Sequence, residues 1–286
     1  MTQHVPAAPH NDSANTTLHS LPQEKDSFIT PVARYIEKTM TIVGLEARKL
    51  RHDPTDLFTR AIQPALWLLI FGEVFTRLKA IPTGGVPYLD YMAPGILAQS
   101  VLFIAIFSGI SIIWERDLGI IHKFLASPTP RTALVLGKAL SSGLRGLSQA
   151  IIIYILSLLL GVKMSWNPLD LLGVIVIVIL GSACFSTFSL IIACLVKTRD
   201  RFMGIGQVLT MPLFFASNAI YPVSIMPPWL QVIARSNPLS YEVAALRSMM
   251  LPGGSTAGLG IDFLVVFVVT IALILIGAFF YPRVAQ

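Results

Sequence analysis

Trp114-Glu115-Arg116-Asp117-Leu118-Gly119-Ile120-Ile121-His122-Lys123-Phe124-Leu125-Ala126-Ser127-Pro128-Thr129-Pro130-Arg131-Thr132-Ala133-Leu134-Val135-Leu136-Gly137-Lys138 is a charged block set between two apolar runs. Residues 91–113 before it carry few polar side chains, and a second apolar run opens near Ala139. Seven ionisable side chains fall inside the block and Arg145 follows it, where a membrane chain would otherwise turn tightly and return. A block of that kind faces water, and what it meets there bears on function.

The surrounding chain has the composition of an integral membrane protein. Of its 286 residues 54% are hydrophobic and 13% charged, and the mean hydropathy is +0.72; soluble domains are about 25% charged. A helix needs about 20 mostly apolar residues to cross the hydrocarbon core. Six stretches qualify: 58–76, 90–113, 134–161, 169–196, 201–220 and 261–281. The first is short and carries Glu73, and the fifth contains Pro212. Backbone groups in lipid must be satisfied internally, so these runs are helices and the expected fold class is all-α integral membrane with six transmembrane helices.

Residues 1–27 are polar and lack an apolar core, which speaks against a cleaved signal peptide and for a disordered tail ahead of one membrane domain, 28–286. His4, His10 and His19 in that tail lack metal-ligand spacing, and no metal site is expected. Cys184 and Cys194 are ten residues apart, about 15 Å along a helix and too far for a disulfide. The net charge of +6 is set by topology, not by nucleic-acid binding. With a cytoplasmic N-terminus, fifteen Lys and Arg lie inside and five outside, with Arg145 within the third span. The positive-inside rule therefore places both termini and the Trp114 block in the cytoplasm.

Residues 31–52 repeat Val32, Tyr35, Ile36, Met40, Val43, Ala47 and Leu50 at helical spacing, with Arg34, Lys38, Arg48 and Arg51 on other faces. This pattern suits a helix lying along the inner membrane surface or covering another cytoplasmic element. Between the fifth and sixth spans, residues 221–260 hold two short apolar helical patterns, 228–235 and 238–250, the second with Asn237 as N-cap and Pro238 in the first turn. Both are too short to span, as re-entrant or interfacial segments are.

Catalytic and energy-coupling motifs are missing from the sequence. Gly137-Lys138 lacks the rest of a phosphate-binding loop, and no His-Glu-x-x-His, Cys/His cluster or Gly-x-Ser-x-Gly occurs. Glu73 is the one carboxylate well within a predicted span, near its outer end, whereas ion-coupled carriers place charges at the midplane. A translocator with neither its own ATPase nor an ion-coupling site takes its energy from a partner.

The block Trp114-Glu115-Arg116-Asp117-x-Gly119, then Leu125-Ala126-Ser127-Pro128, Arg131 and Gly137-Lys138, resembles the segment after the second span of ABC-2 type permeases, in particular the daunorubicin-resistance drug exporters. A second match follows: Arg201 to Gln207, Met211-Pro212-Leu213-Phe214-Phe215-x-Ser217, Tyr221-Pro222, Met226-Pro227-x-Trp229-Leu230, Asn237-Pro238-Leu239 and Arg247. The matches lie in order across residues 30–282.

The resemblance implies the permease subunit of a type V exporter in a bacterial plasma (inner) membrane. It pairs as a homodimer, or with a related permease, and with two copies of a separate ABC-type ATPase. That subunit binds ATP and Mg; this chain is no enzyme and carries no cofactor. Residues 31–52 would be the connecting helix and 114–130 the coupling helix, docking on the ATPase through Trp114, Glu115, Arg116, Asp117, Gly119, Lys123 and Arg131. Ion pairs of both signs fix register across such a contact, although charges there also serve topology alone. Phe103, Phe107, Met211, Phe214, Phe215 and Asn218 would line the substrate pathway, or pack against lipid and neighbours. Arg145 either lines a polar entrance or snorkels to headgroups. Tyr221, Pro222, Pro227, Trp229, Asn237, Pro238 and Arg247 would form an outer gate, with Trp229 equally suited to an interfacial anchor. The expected cargo is a hydrophobic drug, antibiotic or lipid-like molecule; the alternatives are a glycolipid or polysaccharide exporter and an ATP-independent carrier or scramblase.

Overall fold

A computed structural model of the chain describes residues 62–78, 81–120, 130–196 and 198–281, with scattered positions between 35 and 59. All regular structure among these residues is helical. A π-helical turn, Trp67–Gly72, leads into α1 (Glu73–Leu78). There follow α2 (Tyr88–Ser108), α3 (Ile110–Asp117), α4 (Arg131–Leu159), α5 (Pro168–Leu195) and α6 (Arg199–Phe215). A 3-10 turn (Val223–Ile225) precedes α7 (Pro228–Ser236), α8 (Pro238–Met250) and α9 (Leu259–Phe280).

Local chemistry sets the helix starts. α5 opens on Asn167, whose side chain accepts from Leu169 N–H at 3.2 Å, with Pro168 in the first turn. α4 starts directly after Pro130, and α9 after Gly258 at φ 93°.

Four described helices are long and apolar enough to cross a membrane: Tyr88–Asp117 (α2 with α3), α4, α5 and α9. The fifth predicted span falls short. α6 has 17 residues, about 25 Å against the roughly 30 Å of a hydrocarbon core. It runs through Pro212 and stops at Phe215, where the sequence alone extends it to 220. Of the first predicted span, 58–76, residues 62–76 are helical and the helix runs on to Leu78; Glu73 pairs with Arg77 at 2.9 Å on its exposed side. Among the described positions of the 31–52 segment, Tyr35, Ile36, Glu37, Thr39, Met40 and Thr41 are helical, with Thr39 buried and Ile36 and Met40 exposed.

α5 is the hub, packed on α2, α4, α8 and α9. Small residues make those approaches possible. A Cβ on Gly146 would overlap the Ser182 hydroxyl, and one on Gly109 would overlap Ser189 and Phe202. At that second crossing the Ser189 hydroxyl donates to Ile106 O, next to the junction of α2 and α3 at Gly109. Both cysteines are free; Cys184 is buried and Cys194 half-buried on the same helix. At the other end of α2, a Cβ on Gly95 would collide with the Ala219 backbone. Gly95→Ala therefore lowers thermal stability by about 1–3 kcal/mol, as overpacking does. Gly260→Ala, where nothing lies within 4 Å, leaves stability unchanged or raised in the same thermal-unfolding assay.

Candidate functional site

The charged block is braced from within. Its first residues, Trp114 to Asp117, form the last turn of α3, so they continue the first of the four long helices, Tyr88–Asp117, and do not begin a separate one. Gly119, at φ 70°, ends that turn. Lys123 and the rest of 121–129 lie outside the described residues. Glu115 forms an ion pair with Lys138 of α4, the two side chains only 12% and 16% exposed. Arg116 donates to Val196 O at 3.3 Å, at the end of α5. Arg199, the first residue of α6, reaches Asp117 at 2.9 Å and lies 4.1 Å over the Trp114 ring. Four helix ends thus meet at the block. Trp114 (51% exposed) and Leu118 (69%) remain as an outward apolar face, with Arg131 exposed at the start of α4. The exposed Arg199–Asp117 pair contributes at most about 1 kcal/mol, whereas removing one partner of the sheltered Glu115–Lys138 pair leaves the other charge uncompensated.

The predicted pathway residues do not form one cluster. Arg145 lines a cavity of about 20 Å³ together with Lys138, Ser108, Ser111, Ser141 and Ser142, about the space of one water. Phe103 and Phe107, their rings 6.0 Å apart, line a larger cavity of about 170 Å³ with Gln63, Gln99 and Ser100. Phe214 is buried edge-on to Trp67 at 5.9 Å, whereas Phe215 is 40% exposed; Met211 stays half-buried on α6.

At the opposite end, three of the predicted gate residues, Tyr221, Asn237 and Arg247, take part in one backbone-satisfying network. A helix leaves its last four carbonyls without helical partners, and here side chains supply every donor. Asn237 Nδ2 donates to Leu213 O at 2.7 Å and to Ala216 O at 2.9 Å. Ser217 donates to Phe214 O at 2.7 Å, and the Tyr221 phenol to Phe215 O at 2.7 Å. Burial pushes the Tyr221 phenol above its ordinary pKa, so it stays a donor at physiological pH. Beyond the helix end, Arg247 donates to Asn218 O at 2.8 Å and to Tyr91 O at 3.3 Å while stacking 3.7 Å over the Tyr91 ring. Tyr88 donates to Ile220 O at 3.1 Å and Tyr91 to Asn218 O at 3.4 Å. Asn237 caps α8 through its other atom, accepting from Leu239 N–H at 3.0 Å. Pro222 and Pro227 flank the 3-10 turn, and Trp229 on α7 is 65% exposed.

Tyr88, Tyr91 and Gly95 are absent from the predicted set, and nothing local in the sequence marks them. Glu242 is also absent. It lies on α8, outside every predicted span, and is 0% exposed.

The ABC-2 type transporter family profile matches residues 37–251. The chain belongs to that family. It is 30% identical over 226 residues to transport permease ycf38 of Porphyra purpurea, covering 77% of each chain. The Cyanophora paradoxa ycf38 permease is 29% identical over 239 residues, 82% of this chain and 80% of that one. The daunorubicin resistance ABC transporter permease protein DrrB1 of Streptomyces coeruleorubidus is 26% identical over 218 residues, 76% of each. The ABC-2 chain is thus a membrane permease, and both motif groups other than 121–129 fall in described structure.

The Glu115–Lys138 pair can be tested by a double-mutant cycle. Lys138→Ala or Glu115→Ala alone lowers unfolding stability by about 3–5 kcal/mol, as removing one partner of a sheltered pair does. Glu115→Leu with Lys138→Met recovers most of that loss. Additive losses in the thermal-unfolding cycle would contradict the pairing.

Proposed function

We propose that this ABC-2 permease is the membrane-spanning subunit of an ATP-driven exporter. Two copies assemble with two ATPase subunits, which bind ATP and Mg. The observation that carries this reading is the braced block: Trp114 and Leu118 face outward on a turn tied to the ends of α4, α5 and α6. A partner pressing on that face moves four helix ends together, because the internal pairs leave the turn little freedom of its own. The excess of Lys and Arg at this end supports a cytoplasmic position, in a bacterial plasma membrane, with both termini inside. The 31–52 segment then serves as the connecting helix on the same side.

The cargo is a hydrophobic drug, antibiotic or lipid-like molecule without strong charge. Phe103 and Phe107 offer aromatic surface, and Gln63, Gln99 and Ser100 offer uncharged hydrogen-bonding groups to it. The name of the Streptomyces relative, a daunorubicin resistance permease, supports the same class.

Trp114→Ala combined with Leu118→Ala weakens co-purification of the ATPase subunit and lowers ATP hydrolysis by the reconstituted complex about tenfold, the effect of losing about 1.4 kcal/mol of interface energy. Membrane insertion, followed by membrane fractionation, is unchanged. Full association and hydrolysis in that variant would remove the docking role.

A further inference from the structure

α8 lies along the first half of α5, running antiparallel to it. A Cβ on Gly173 would meet Met249 Sδ, and one on Gly181 would overlap the Glu242 carboxyl group. Gly181 lies 13 residues beyond the start of the 28-residue α5, about 20 Å along a helix about 42 Å long. Glu242 therefore sits level with the middle of a membrane-crossing helix, although its own helix crosses nothing. It is 0% exposed, and neither carboxylate oxygen has a hydrogen-bond partner.

A bare carboxylate is not sustained in such a place, because burial removes its hydration and nothing replaces it. No group of metal-ligating side chains exists among the described residues. Ionisable groups on the neighbouring elements are Asp170, Cys184 and Cys194 on α5, Asp262 on α9, Tyr88, Asp90 and Tyr91 on α2, and Arg235 on α7. Cys184, three residues beyond Gly181 and so on the same side of α5, is a buried free cysteine and offers no positive charge. Arg247 and Tyr241 share α8 itself. Arg247 is five positions on, about 140° around the helix, and is held by the carbonyls of Tyr91 and Asn218. The Tyr241 phenol donates to Arg235 O. A proton is the remaining means of neutralising Glu242.

We propose that Glu242 is a proton-binding site at the membrane midplane, and that α8 leaves its seat on α5 as that proton departs. The proton and the seating of α8 are reciprocally linked. With the proton bound, the neutral carboxyl packs on the bare Gly181 backbone. Once α8 moves and water reaches the group, it ionises like an ordinary carboxyl and opposes return. The sign follows: low pH favours the seated helix, and rising pH favours the displaced one, by about tenfold per pH unit while only the displaced form is ionised. The transport cycle, whatever powers it, thereby carries a proton-dependent step.

The test is hydrogen exchange of residues 238–250 in full-length permease held in phospholipid nanodiscs, corrected for intrinsic amide rates. Between about pH 6 and about pH 9, where buried glutamates titrate, protection of α8 in the wild type falls as pH rises. Glu242→Gln keeps α8 protected and removes the pH dependence. Cys184→Ala retains that dependence, and Gly181→Ala exposes α8 at every pH. A wild-type helix with pH-independent protection overturns the proposal, as does a pH dependence that survives in Glu242→Gln or vanishes in Cys184→Ala. Infrared difference spectroscopy gives a second readout on the wild type. A protonated-carboxyl C=O band at neutral pH that is missing from Glu242→Gln is expected, and an ionised Glu242 at neutral pH overturns the assignment.

Discussion

α6 ends too early to deliver its carbonyls to bulk water across a full hydrocarbon core, and much of the molecule is arranged around that fact. In a membrane an unsatisfied backbone group has no water to turn to. The four terminal carbonyls, Leu213 to Ala216, receive donors from Asn237, Ser217 and Tyr221. The irregular chain that follows is held by Arg247, Tyr88 and Tyr91. These donors come from α2, from α8 with its cap and from the loop that follows α6, so the end of one helix fixes the relative placement of several others. Gly95 belongs to the same arrangement, since only a residue without Cβ lets Ala219 come so near α2.

The charged end is built on different terms. There the braces are ion pairs, one cation–π contact and a single side-chain hydrogen bond to a terminal carbonyl, Arg116 to Val196 O, in part exposed, and they join helix termini. A sheltered pair holds α3 to α4, while Trp114, beneath Arg199 on one side, and Leu118 stay half or more exposed on the outer face. One end of the bundle is thus suited to receive force from a soluble partner. The other is held by a dense network of side-chain-to-backbone hydrogen bonds. α5 connects the two: it contacts α4 near the block and seats α8, with Glu242, at its midpoint.

The four long helices are legible in the sequence because a span leaves an apolar run that no other structure explains. The start of α8 is legible too, since Asn-Pro before an apolar pattern specifies a cap and a first turn. The end of α6 is not. Residues 216–220 continue an uncharged run broken only by Ser217 and Asn218, and the donor that takes Leu213 O and Ala216 O, Asn237, is more than twenty residues away, a tertiary cause. Glu242 escapes notice because a search for buried charge within spans passes over a helix too short to span. The pairing of Glu115 is hidden for a similar reason: its partner Lys138 lies 23 residues away across a turn, and nothing local distinguishes it from a solvated charge.

Asn237→Asp separates the two roles of Asn237 and so tests the dependence on the α6 end most directly. Aspartate keeps the cap on α8, because its oxygen still accepts from Leu239 N–H, but it cannot donate to Leu213 O and Ala216 O. Leaving buried carbonyls unmet costs about 1–3 kcal/mol each. Hydrogen exchange of 213–221 and 238–246 in nanodisc-held permease therefore rises at least tenfold in Asn237→Asp, as much as in Asn237→Ala, while α4 stays as protected as in the wild type. Wild-type protection of both segments in Asn237→Asp would show that the cap alone matters and that the end of α6 does not depend on these donors.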